Sequence, residues 1–153
     1  MMRAVPPLIV AAGFLCLGVS VGATQPPDRR LIGGIGVGDT PAQVRAVLGP
    51  PMRVEKTGDA LDPYWHYKGL VVGFWAETHR VERVETKDPA FCTTGGVCPG
   101  ISAAAALKVL GQPLDGVMLS DGVHAYSTEE DTCELEVVIH LGRVKSLALS
   151  CQP

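Results

Sequence analysis

Two stretches of the chain follow the same order of residue types, and this internal repeat constrains the fold more than any single residue does. The first stretch runs over residues 38–51 and the second over residues 100–113. Each contains a glycine, a hydroxyl residue, an apolar helix-like pattern and a closing Gly and Pro, and each is followed by a β-hairpin pattern. Because an internal repeat sets the architecture before any local pattern does, we predict two copies of one helix-plus-sheet unit.

Both repeated stretches carry the start and stop signals of a short helix. In the first, Thr40 can cap the helix, Gln43 completes a capping box, and Gly49 supplies the C-terminal turn. In the second, Ser102 is the cap, but Ala105 stands where the box would need a glutamine. Helices this short need a sheet to lie on.

The second hairpin pattern is clear between Cys133 and Cys151. Apolar and polar residues alternate along 133–140, Gly142 turns the chain, and residues 144–151 return. Pairing about Gly142 sets Cys133 opposite Cys151 and leaves one apolar and one polar face, which is typical of a half-covered antiparallel sheet.

The first copy follows the same scheme over residues 64–86. Its helix-facing residues are predicted to be Leu70, Val72, Phe74 and Val84. The opposite, open face is predicted to carry Val71, Gly73, Trp75, Val81, Arg83 and Glu85. The fold class is therefore predicted to be α+β, with two tandem helix-plus-antiparallel-sheet repeats sharing one curved sheet and the helices on one face.

The N-terminus has the pattern of a secretory signal. A basic start, an apolar stretch over residues 5–21 and small residues before position 24 predict cleavage after Ala23; the alternative is an uncleaved anchor. The predicted divisions are a signal peptide (1–23), a flexible lead-in (24–32), repeat 1 (33–91), a disulfide-closed connector (92–98) and repeat 2 (99–153).

The cysteines of the exported chain predict two disulfides. Cys16 leaves with the signal, and an even set of four remains, which allows three connectivities. Opposed cysteines at the open end of the second hairpin favour Cys133–Cys151 and leave Cys92–Cys98 to close a small loop. A zinc site at Cys92 and Cys98 is the alternative, but export favours the disulfide. The expected location is the periplasm or the extracellular space.

The formal net charge is −3 and the chain has no basic stripe. Nucleic acid is therefore not an expected partner, and a membrane is expected only through an uncleaved signal. The chain also lacks the motifs of nucleophilic or metal-dependent hydrolases. Ser120, Asp121 and His124 form a triad in letters only, so we predict no enzymatic activity, no cofactor and no metal.

The aromatic residues give the best candidate site. Trp75 is predicted to be a binding anchor on the open face, because tryptophan on an exposed surface is a typical interface residue; the alternative is that it packs in the core. Trp65, His66 and Tyr67 are predicted as lateral contacts, and Arg83 and Glu85 as the polar rim.

The repeated helix motif, the aromatic strand at residues 65–67 and the basic-Val step of each hairpin together resemble the β-lactamase inhibitory protein family. The same unit in single copy is similar to the small outer-membrane lipoproteins of the β-barrel assembly machinery. The resemblance spans roughly residues 33–151 and implies a tandem repeat whose sheet face binds a protein.

The predicted function is accordingly an exported, monomeric, non-enzymatic protein-binding module, of which an inhibitor of an envelope or extracellular enzyme is one form. The alternative is a periplasmic accessory of envelope or outer-membrane assembly. A hydrolase with a site built from separate strands is the third, less favoured class.

Overall fold

The structure is a computed structural model and describes residues 31–114, 116, 120–128 and 132–151. The predicted signal peptide and residues 24–30 of the lead-in lie outside the described residues. The helices are α1 (Pro41–Leu48) and α2 (Ala103–Leu110). The strands are β1 (Leu31–Ile32), β2 (Ile35–Gly36), β3 (Arg53–Glu55), β4 (Leu61–Tyr67), β5 (Leu70–Trp75), β6 (Val81–Thr86), β7 (Gly122–Ser127), β8 (Cys133–His140) and β9 (Arg143–Cys151).

The predicted fold class is wrong. Strands dominate the described residues and form one antiparallel seven-stranded sheet, in the order β3-β4-β5-β6-β9-β8-β7, together with a separate two-stranded sheet. The two helices are only eight residues each. Because β6 pairs directly with β9, the large sheet is continuous from β3 to β7 and does not divide into two helix-plus-sheet repeats.

The predicted helix ends are confirmed. The Thr40 side chain accepts a hydrogen bond from the Gln43 amide at 3.3 Å, and Gln43 Oε1 accepts one from the Thr40 amide at 2.8 Å, which completes the capping box. Ser102 caps α2 by accepting from the Ala105 amide at 3.2 Å, without a box. Each cap satisfies helix amides that have no intrahelical partner.

The second hairpin has the predicted register. Leu135 lies opposite Leu149, and Cys133 lies opposite Cys151. The structure contains both predicted disulfides, Cys92–Cys98 and Cys133–Cys151. Two disulfides indicate an exported protein, because thiols are kept reduced in the cytosol.

A β-bulge in the β5–β6 pair overturns one predicted face. Gly73 pairs with Arg83 but Phe74 pairs with Val81, so the register shifts between them. A bulge sets two residues of one strand against one of its partner. Val81 is therefore 1% exposed in the core, and its predicted place on the open face is wrong.

The end of the predicted flexible lead-in is structured. Ile32 and Ile35 pair across a two-residue turn, in which Gly33 and Gly34 have φ of 60° and 80°. Two-residue hairpin turns of this kind require a positive φ at both positions, and glycine adopts it readily. Both isoleucines are fully buried, so the last two residues of the predicted lead-in form a strand that packs into the core.

One apolar core fills a single side of the seven-stranded sheet. A row of directly paired residues crosses the sheet and points into this core: Trp65, Val72, Val84, Leu149, Leu135 and Tyr126. Val44 of α1, Ala106 and Leu110 of α2, and Val97 of the connector belong to the same core. We call this side the covered face, and the opposite side the open face.

Candidate functional site

The open face consists of the alternate residues of each strand, which point away from the core. Two directly paired rows define it across the sheet. The first row is Glu55, Tyr64, Gly73, Arg83, Ser150, Glu134 and Ser127, and the second is Arg53, His66, Val71, Glu85, Ala148, Glu136 and Ala125. The described helices, the β1–β2 hairpin and the connector contribute their buried residues to the other side.

Trp75 lies at the end of β5 and lines a cavity of about 480 Å³. The other lining residues are Ala60, Ala76, Glu77 and Thr78. Trp75 pairs with Leu61 across the sheet and is partly exposed. The predicted anchor is therefore accessible, and it forms one wall of a concave surface.

Tyr64 extends the aromatic surface along the neighbouring strand. Its ring lies over Gly73, where an added Cβ would come within 2.8 Å of Tyr64 Cε1. A side chain at this position would collide with the ring, so glycine allows this close approach of the ring to the neighbouring strand. Tyr64 lies opposite Gly73, and Trp75 follows Gly73 by two residues along β5. Tyr64 and Trp75 therefore lie on the same face of the sheet.

His66 belongs to a charged cluster with Arg53 and Glu55 at the β3 edge. His66 Nε2 lies 2.8 Å from Glu55 Oε2 and 3.0 Å from Arg53 Nη2. Arg53 Nη2 also lies 2.8 Å from Glu55 Oε2. The hydrogen bond from His66, and then the charge of Arg53, lower the pKa of Glu55. The cluster largely compensates its own charge and fixes the His66 ring.

Arg83 and Glu85 lie together in the middle of the open face. Both belong to β6, the central strand of the sheet. Arg83 Nε lies 3.5 Å from Glu85 Oε2, and its Nη2 lies 3.7 Å from Glu136 Oε2. Arg83 and Glu85 therefore lie on the same face as Trp75, and their role as the polar rim of a binding site stays a prediction.

Trp65 and Tyr67 are on the wrong side for the predicted role. Trp65 is 5% exposed, and its ring centroid lies 4.7 Å from that of Phe74. The guanidinium of Arg45 on α1 stacks on Trp65 at 4.5 Å. Tyr67 packs against the core and donates a hydrogen bond from its hydroxyl to the Gly49 carbonyl at 3.3 Å. Both therefore hold α1 on the covered face and cannot be lateral contacts of the open face.

Sequence reasoning left out several residues that the structure brings to this surface. Tyr64 could have been found, because strict alternation puts it on the same face as His66. Glu136 also had such a signal, because alternation along 133–140 puts it on the polar face of the second hairpin. Glu77 and Ala60 had no local signal, since their place depends on how separate strands meet.

Ser120, Asp121 and His124 do not form a catalytic triad. His124 is buried, and its Nε2 lies 2.9 Å from the Ser120 backbone carbonyl oxygen. Asp121 instead lies 3.4 Å from the His140 ring. Within the described ranges, no group of three or more His, Cys, Asp or Glu side chains is arranged to hold a metal. Neither described helix has the length and apolarity needed to cross a bilayer.

No family model matches the chain, and no curated protein matches it. An extracellular protein containing an SCP domain from Bacillus anthracis strain Ames is structurally similar, with a TM-score of 0.53 at 10% identity over 76% of this chain. The match covers 44% of that protein, so the chain corresponds to less than half of its length. A DUF4309 family protein from Bacillus subtilis has a TM-score of 0.45 at 17% identity, over 74% of this chain and 79% of that one. The first likeness concerns the fold alone, and the resemblance to β-lactamase inhibitory proteins stays a prediction.

Proposed function

We propose that the chain is an exported, non-enzymatic module that binds a partner protein through the open face of its sheet, in the periplasm or outside the cell. The observation that carries this proposal is the partly exposed Trp75 beside a concave surface on the uncovered side of the sheet. Tryptophan and tyrosine supply much of the binding energy of protein interfaces. Among the described strand residues, Trp75 and Tyr64 are the aromatic residues of this face.

The charges of the open face suit a partner with basic residues. Glu85 and Glu136 share the single guanidinium of Arg83, and Glu134 belongs to the neighbouring row of the same face. The centre of this surface is therefore net negative. A complementary basic patch would steer the partner and fix its register.

The test is capture of the partner by the disulfide-bonded protein. The immobilised chain is incubated with exported proteins of the producing cell, crosslinked and washed. Trp75→Ala is expected to reduce the recovered partner by about tenfold or more, as for the loss of an interface anchor.

Val47→Ala is the matched control, because Val47 is an exposed apolar residue of α1, away from the open face. It should leave the recovery unchanged. Equal recovery by both variants and the unmodified chain would contradict binding through the open face.

A further inference from the structure

We infer that the cavity beside Trp75 receives an arginine side chain of the partner protein. This inference rests on the proposed function and deepens it, since Trp75 would then form one wall of the pocket that binds the partner's side chain. The occupant follows from the types of the lining residues, which include a tryptophan, Trp75, and a carboxylate residue, Glu77.

Backbone hydrogen bonds tie down the segments that line the cavity. The Trp75 amide donates to the Arg80 carbonyl at 2.9 Å, and the His79 amide donates to the Trp75 carbonyl at 2.9 Å, which closes the β5–β6 turn. On the other side, the Ala76 amide donates to the Ala60 carbonyl at 3.0 Å. A site whose walls are already ordered loses less conformational entropy when a side chain enters.

The lining favours a cation. Indole has the strongest cation–π attraction of the aromatic side chains, and Glu77 is an exposed carboxylate in the same wall. Small or polar neighbours, Ala60, Ala76 and Thr78, leave room for a planar group. The volume of about 480 Å³ exceeds what one guanidinium fills, so its aliphatic stem can enter too.

Arginine fits better than lysine because its guanidinium is planar and can stack on a ring while it donates to a carboxylate. The chain itself contains one arginine stacked on a tryptophan ring, since the Arg45 guanidinium lies 4.5 Å from the Trp65 ring centroid. The nearby basic side chain Arg80 is engaged elsewhere, since its Nη1 donates to the Gly38 carbonyl at 2.9 Å. His79 belongs to the same turn and is exposed.

The experiment follows the two tryptophan indole N–H signals by NMR during titration with blocked tripeptides. The probes are Gly-Arg-Gly, its neutral citrulline analogue, Gly-Lys-Gly and tetramethylammonium chloride. Trp75→Phe identifies the Trp75 signal by its loss. The Trp65 signal is the internal control, because Trp65 is buried and its ring is already stacked by Arg45.

The arginine peptide is expected to shift the Trp75 signal and leave the Trp65 signal in place. Its Kd should be about fivefold lower than that of the citrulline peptide. Glu77→Gln should raise the Kd of the arginine peptide by about threefold to fivefold and leave that of the citrulline peptide nearly unchanged.

Equal affinity for the arginine and citrulline peptides would overturn the inference. So would tighter binding of lysine or tetramethylammonium, which would assign the cavity to an ammonium group. Partner capture that depends on Trp75 but not on Glu77 would keep the proposed function and reject the arginine site. Peptide binding as expected, with no Trp75-dependent capture, would support a cation site and reject the proposed function.

Discussion

Glu82 places a carboxyl group in the interior, at the bulge of β6 and next to the end of β9. It is 6% exposed, and its Oε1 is buried without a hydrogen-bond partner among the described residues. Burial raises the pKa of Glu82, and the hydrogen bond from the Cys151 amide opposes this only in part. An ionised carboxylate is therefore costly at this position.

The pH dependence of stability follows from this shift. A raised pKa in the folded state means that the folded chain holds the Glu82 proton more tightly than the unfolded chain does. This tighter proton binding stabilises the fold fully below the unfolded pKa of about 4.3. The stabilisation is lost as the pH rises through the folded pKa. Glu82→Gln should stabilise the protein at pH 7 by about 1 kcal/mol.

Urea unfolding between pH 3 and pH 8 measures this difference. The gain of Glu82→Gln should disappear at the acid end. Glu77→Gln, an exposed glutamate of the β5–β6 turn, is the control and should follow the unmodified chain. A Glu82→Gln variant less stable than the unmodified chain at pH 7 would contradict the argument.

The two tryptophans are expected to respond differently to truncation. Trp75→Ala should lower the free energy of unfolding by about 1 kcal/mol, because the side chain is partly exposed and packs on one side only. Trp65→Ala should cost about 3–5 kcal/mol, since it leaves a cavity under α1. Thermal unfolding of both variants tests this. A loss for Trp75→Ala as large as that for Trp65→Ala would make Trp75 a core residue.

At the scale of elements, the capping box of α1 gives a direct test of helix stability. Thr40→Ala removes a hydroxyl that accepts from the Gln43 amide and should cost about 1 kcal/mol. Gln43→Ala keeps the hydroxyl cap and loses the two hydrogen bonds that Gln43 Oε1 accepts from the Thr40 amide and hydroxyl at the exposed helix end, so it should cost less. Thermal melts rank the two variants. A larger loss for Gln43→Ala than for Thr40→Ala would contradict the assignment of the hydroxyl as the main cap.

Elements were predictable where their signals are local. The caps Thr40 and Ser102 precede regular helical patterns, and the alternation from Cys133 to Cys151 determines both the register and a disulfide. The bulge that turns Val81 inward has no such signal, because it depends on how β5 and β6 meet. The β1–β2 hairpin was missed although Gly33 and Gly34 lie between two isoleucines, which is a hairpin pattern.

The side on which a residue lies was harder to predict than its strand. Alternation puts Trp65 and Tyr67 on one face, but only the packing of α1 decides that this face is covered. The same limit applies to the candidate site. Trp75 could be found by residue type, whereas Glu77 and Ala60 join it only through tertiary structure.

On the scale of the whole molecule, the two faces of the seven-stranded sheet differ in what they contact. The helices, the β1–β2 hairpin and the connector bury the apolar core on one side. The open face carries the two paired rows and Trp75, which lines a concave surface. Because the apolar core lies on the covered side, changes on the open face are expected to affect binding more than folding.

The two disulfides stabilise this arrangement to different degrees. They close loops of different length, with sequence separations of 18 for Cys133–Cys151 and 6 for Cys92–Cys98. The entropy lost by the unfolded chain grows with loop length, so Cys133→Ala/Cys151→Ala should cost about 3 kcal/mol and Cys92→Ala/Cys98→Ala about 2 kcal/mol. Urea unfolding of both double variants, with the intact protein under the same non-reducing conditions, measures the order. Cys133 is also buried, which adds lost packing to the first variant and strengthens the expected order. A larger loss for the Cys92/Cys98 variant would show that the connector, and not the second hairpin, limits the stability of the fold.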